Sequence, residues 1–181
     1  MSSGDTLYKA PFLASTDLGN ATAETQFLNA RGAQMVLVLP SNNSLASRPF
    51  RIRSDGRVST TTNATFQFTV YFGFSKTLSA NTLMFTTNGL TVNALTSNWM
   101  LALDLYWDST SDLITGTAFG QIANQIVGPA ALANTPSANP NRDSSTTLAS
   151  GPTYGFTATG LFSSSSTGNH AFVDKFALEL L

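Results

Sequence analysis

The chain has 181 residues, with 9 basic and 10 acidic side chains, a formal net charge of −1 and no cysteine. Charged residues make up 10% of it, against about 25% in an average soluble domain, and 21 Ser, 25 Thr and 14 Asn supply the polarity instead. This balance excludes a dedicated nucleic-acid or membrane-surface binder, which needs clustered positive charge, and the absence of cysteine excludes disulfides, thiol nucleophiles and thiolate-held metals or clusters. The length suits one domain with a single developed core. No run approaches the ~18 apolar residues of a membrane span. The start, MSSGDTLYKA, lacks the basic and apolar regions of a secretory signal, so general export is not expected.

Residues 1–30 carry scattered anchors (Leu7, Tyr8, Phe12, Leu13, Leu18, Phe27, Leu28) without periodicity, and they are expected to form an extended N-terminal arm laid over its own domain or a neighbour's. Residues 31–181 are expected to form an all-β domain, an antiparallel β-sandwich or jelly roll. Met35 to Leu39 is apolar at both parities, which predicts a strand buried on both faces or in a subunit interface. Asp55-Gly56 and Asn88-Gly89, each flanked by apolar runs, read as tight hairpin turns. Between them Ala64 to Phe74 alternates strictly, with Phe66, Phe68, Val70, Phe72 and Phe74 on one face, as a half-buried strand must. Trp99, Leu101, Leu103, Leu105 and Trp107 form the inner face of another strand, and Leu113 to Phe119 fits a weaker one. Gly128 and Pro129 interrupt Ile122 to Leu132, predicting a strand followed by a loop. Ala133 to Pro152 reads as a long loop. The alternating segments 154–162 and 172–180 are expected to pair across the polar turn Ser163 to Asn169, with Phe172 and Phe176 on one face.

Four of the six arginines, Arg48, Arg51, Arg53 and Arg57, fall within ten residues. Alternation sets Arg51 and Arg53 opposite Phe50 and Ile52, so this segment is expected to present a positive ridge to an anion or an acidic protein partner. His170 is the only histidine, and no Gly-x-Ser-x-Gly elbow accompanies it, so a catalytic triad is not expected. Asp108-x-Thr110-x-Asp112 begins like a calcium loop but lacks the later glycine and glutamate, leaving a surface cation as an open alternative to turn capping. Asp104 and Asp108 could pair as glycosidase carboxylates only if a cleft held them, and Tyr106 is the outward aromatic best suited to a glycan. No cofactor site and no metal cluster is expected.

The segments Trp99-Met-Leu-Ala-Leu-Asp-Leu-Tyr-Trp-Asp-Ser, Leu113-Ile-Thr-Gly, Tyr154-Gly-Phe-Thr-Ala-Thr-Gly-Leu-Phe-Ser and Asn169-His-Ala-Phe-Val-Asp-Lys-Phe-Ala-Leu-Glu-Leu resemble tailed-bacteriophage virion structural proteins. Among these the likeness is to small jelly-roll proteins that decorate or cement the capsid. It covers about residues 95 to 181, rests on strand patterns, and carries over no functional residue. The resemblance implies a non-catalytic protein on the virion surface, made in the host cytoplasm, self-associated as a homotrimer or, second, a dimer. Its partner would be the major capsid protein or another virion protein, without nucleic acid or membrane. A tail- or fibre-associated glycan-binding module is the alternative reading, and a carbohydrate-active enzyme stands behind it.

Overall fold

The computed structural model describes residues 6–9, 15–38, 48–60, 64–73, 81–87, 89–92, 96–108, 113–123, 125–131 and 155–181. In chain order the strands are β1 (Thr6–Lys9), β2 (Thr25–Gln26), β3 (Val36–Val38), β4 (Pro49–Ser59), β5 (Thr65–Gly73) and β6 (Thr82–Thr86). They continue with β7 (Leu90–Thr91), β8 (Ser97–Asp108), β9 (Leu113–Ile122), β10 (Gln125–Ala131), β11 (Gly155–Phe162) and β12 (His170–Leu180). Two antiparallel sheets pack face to face. Sheet A runs β1-β12-β4-β8-β9-β10, while sheet B runs β2-β11-β5-β6, with β3 and β7 continuing its two edges.

The wrapping is that of a jelly roll. Four antiparallel pairs nest in the sequence: β1 with β12, β2 and β3 with β11, β4 with β8, and β5 with β6 and β7. They alternate between sheets A and B, and the contacts β12–β4 and β11–β5 join them within each sheet. The β9–β10 hairpin is an addition that widens sheet A beyond β8.

The core lies between the sheets. Trp99 of β8 stacks on Phe66 at 5.3 Å and meets Phe68 at 5.5 Å and Phe27 at 6.1 Å, while Phe50 of β4 reaches Phe156 of β11 at 6.2 Å. The inward parities expected for β5 and β8 hold at every position whose side chain is described.

Five local expectations differ from the structure. First, Asp55-Gly56 is no turn, because β4 runs straight through it. Gly56 is required for space: a Cβ there would lie 2.4 Å from the Trp99 ring and 2.2 Å from the Phe172 carbonyl oxygen. Second, β6 and β7 both pair with β5, so Asn88-Gly89 does not reverse the chain. Gly89, between the two strands, has φ +69°, a conformation glycine adopts without strain, and Asn88 lies outside the described residues. Third, β11 and β12 lie in different sheets, so the polar segment after β11 crosses the sandwich edge. Fourth, β12 has its own bulge between Val173 and Lys175, which reverses the parity: Ala171 and Val173 face inward, then Phe176, Leu178 and Leu180, leaving Phe172 outside. Fifth, β10 passes Gly128-Pro129 through a register shift on the last strand of sheet A, where a missing N–H is tolerated.

The division at residue 30 also dissolves. β1 pairs with β12, and the chain then follows the same edge, with Ser15 N–H donating to the Val173 carbonyl (2.7 Å) and Leu18 N–H to that of Ala171 (2.9 Å). Phe162 N–H donates to the Ala21 carbonyl as the chain crosses to sheet B, where β2 and β3 line β11 on either side of a short excursion. Phe27 is fully buried. The described residues of the arm are therefore the first strands of this chain's own jelly roll. Met35 and Leu37 belong to the core and Val36 is half-buried at the sheet edge, so this strand is not buried on both faces.

Candidate functional site

The outer face of sheet A collects most of the residues singled out above. Arg51, Arg53, Asp55 and Arg57 occupy alternate outward positions of β4. Arg48 precedes the strand, is exposed, and stands outside this row. Arg51 faces Asp104 of β8 and donates from Nε and Nη2 to its carboxylate at 2.5 and 2.8 Å. Arg57 holds Asp174 at the β12 bulge through two bonds of 2.9 Å, and Arg53 donates from Nε to Asp55 at 3.0 Å. Lys175 pairs with Glu179. Four cations thus meet four anions, and the row is not the positive ridge expected, because the neutralising carboxylates come from neighbouring strands and from Asp55. The hydrogen bonds to Asp104 and Asp174 hold the Arg51 and Arg57 guanidinium groups above their ordinary pKa.

The guanidinium groups also lie against apolar side chains. The Arg51 Cζ is 5.3 Å from the Phe119 ring centroid, that of Arg57 is 5.0 Å from Phe172, and Arg53 Nη2 approaches the Met100 sulfur at 3.6 Å. Beyond them β8, β9 and β10 expose Met100 (53%), Phe119 (37%), Ile126 (82%) and, farther along, Tyr106 (43%). Register places Met100, Gln121 and Ile126 in one cross-strand row and Ala102 beside Phe119 in the next, so the first three apolar side chains form one patch. The Asp108 side chain and Asp112 lie outside the described residues, and with them the surface cation.

At the opposite end of this face is a cavity of about 380 Å³ lined by Asp17, Arg57, Val58, Ser59, Thr96, His170 and Phe172. The Asp17 Oδ1 accepts from the N–H groups of Gly19 (2.9 Å) and Ala171 (3.2 Å), and its Oδ2 meets His170 Nδ1 at 2.5 Å. Ser59 is directly opposite His170, and Arg57 directly opposite Phe172. The sequence gives no local sign of this grouping, since Asp17 and His170 are 153 residues apart. Among the described residues no hydrogen bond joins Ser59 to the imidazole. A scan against protein-family models and searches of curated proteins and of solved structures find no match to this chain.

Proposed function

We propose that the chain is a non-catalytic capsid decoration protein of a bacteriophage, docked on the outer surface of the particle through the outer face of sheet A. The observation that carries this reading is the exposed set Met100, Phe119 and Ile126 beside Arg51, Arg53 and Arg57. Methionine, aromatic side chains and arginine are the types enriched where proteins meet, and a bidentate guanidinium held over an aromatic ring is already ordered before it docks. The strand patterns that resemble virion proteins support the setting, and jelly rolls serve capsids by fold analogy. The paired charges disfavour a nucleic-acid partner at this face, because among the described residues Arg51, Arg53 and Arg57 are each engaged by a carboxylate. Self-association, homotrimer first and dimer second, belongs to the same reading. It draws on the apolar segment 35–39, whose Val36 is half-buried at the sheet edge.

Co-sedimentation with undecorated particles tests the docking face. The double change Phe119→Ala and Ile126→Ser is expected to weaken binding at least tenfold while leaving the far-UV circular dichroism unchanged. Undiminished binding by a folded variant would refute the assignment of this face.

A further inference from the structure

We propose that the cavity formed by Asp17, His170, Ser59, Arg57, Phe172 and Thr96 is a binding site for a neutral saccharide; it shares Arg57 with the docking face, while Met100, Phe119 and Ile126 lie outside its lining. A volume of about 380 Å³ lies within the range of small-molecule sites, and its polar groups converge from four segments that the wrapping brings together: 15–18, β4, Thr96 just before β8, and β12.

The ligand class follows from which hydrogen-bonding valences remain. A carboxylate only accepts, so the bond from His170 Nδ1 to Asp17 places a proton on Nδ1 and leaves Nε2 as the ring's remaining hydrogen-bonding nitrogen. Asp17 is itself fixed by two backbone N–H groups, which sets the imidazole's orientation. Arg57 uses Nε and one Nη2 donor on Asp174, leaving further N–H donors. Ser59 and Thr96 add hydroxyls that both donate and accept. The site therefore offers fixed guanidinium donors, one imidazole nitrogen and two hydroxyls that adapt to either role, beside the apolar edge of Phe172.

A sugar hydroxyl donates and accepts at once, so it bonds Nε2 in either role of that nitrogen while a neighbouring hydroxyl accepts from Arg57 and the C–H groups of the ring meet the apolar edge of Phe172. A cation finds both carboxylates already engaged, Asp17 by His170 and backbone, Asp174 by Arg57. Tyr106, the outward aromatic favoured from sequence, lies on β8 outside the cavity lining.

The test is ¹⁵N-resolved NMR titration of the full chain with methyl mannoside, methyl galactoside, N-acetylglucosamine and their oligomers, with N-acetylneuraminate and inorganic phosphate as anionic arms. The expected result is saturable shifts of residues 57–59 and 170–172 with at least one neutral sugar, and at least a tenfold loss of affinity in both His170→Ala and Ser59→Ala. Both variants are surface changes whose folding is checked by their spectra. No shift with any neutral probe, shifts with the anions alone, or neutral-sugar binding that survives both substitutions would each overturn the proposal. Particle binding by the same variants is expected to be unchanged, which separates this site from the docking face.

Discussion

Phe27→Ala probes whether the N-terminal segment belongs to the core or merely rests on it. Phe27 is fully buried, lies 6.1 Å from both Phe68 and Trp99, and belongs to the cluster that joins the two sheets. Truncating a buried phenylalanine costs about 3–5 kcal/mol, with the upper part of that range expected where ring pairs are lost as well. In a chain of this length each kcal/mol moves Tm by roughly 2–4 °C, so a loss near 4 kcal/mol lowers Tm by about 8–16 °C. Urea unfolding followed by near-ultraviolet circular dichroism, which sees the packing of Trp99, measures the free-energy change directly. Leu28→Ala is the control, because Leu28 is only half-buried and its loss is expected to cost about 1 kcal/mol. A cost for Phe27→Ala no greater than that of the control would mean that the segment is a detachable arm and that the wrapping described here is wrong at its first strands.

Gly56→Ala is expected to cost about 1–3 kcal/mol or more by forcing Trp99 and the β12 backbone apart, measurable as a lower urea midpoint; a neutral effect would show that the indole does not lie across β4. Tyr71 donates to Glu24 (2.8 Å), and burial, then this bond, then the nearby negative charge raise its pKa from the usual 10 to about 12. The folded state thus keeps a proton the unfolded chain releases, so stability is intact below pH 10 and falls between about pH 10 and 12; Glu24→Gln is expected to bring one tyrosine's absorbance titration back toward 10. The change Arg51→Ala with Arg53→Ala strands Asp104 and Asp55 and is expected to weaken particle binding by roughly 1 kcal/mol at a rim and 2–5 kcal/mol at a desolvated centre. Wild-type binding should weaken as salt rises, and a salt-independent, mutation-independent affinity would reduce these pairs to a solvated strand face.

The contrast between what could and could not be read from sequence follows from locality. The inward residues of β5 and β8 are legible because a period of two is a property of the strand itself. Asp55-Gly56 misleads because its glycine answers to Trp99, 43 positions away, and not to a turn. Phe172 is misplaced because a single bulged residue flips everything before it, and no local signal marks Asp174 as that residue. The partner of β11 is β5, and the partner of the chain's first residues is β12, pairings that only the nested wrapping dictates. At the site, the arginine row could be read from β4 alone. Asp55 stands in the row itself, but the carboxylates of Arg51 and Arg57 are on other strands, 53 and 117 residues away, which is why a paired face was expected to be a positive one.

Cryo-electron microscopy of the particles on which the proposed function places this chain tests the central claim most directly. The expected reconstruction shows the sandwich on the capsid exterior, with Met100, Phe119, Ile126 and the Arg51–Asp104 pair against the shell and the His170 cavity open to solvent. Purified particles without the chain, or with it bound so that the outer face of sheet A looks into solvent, would contradict the account.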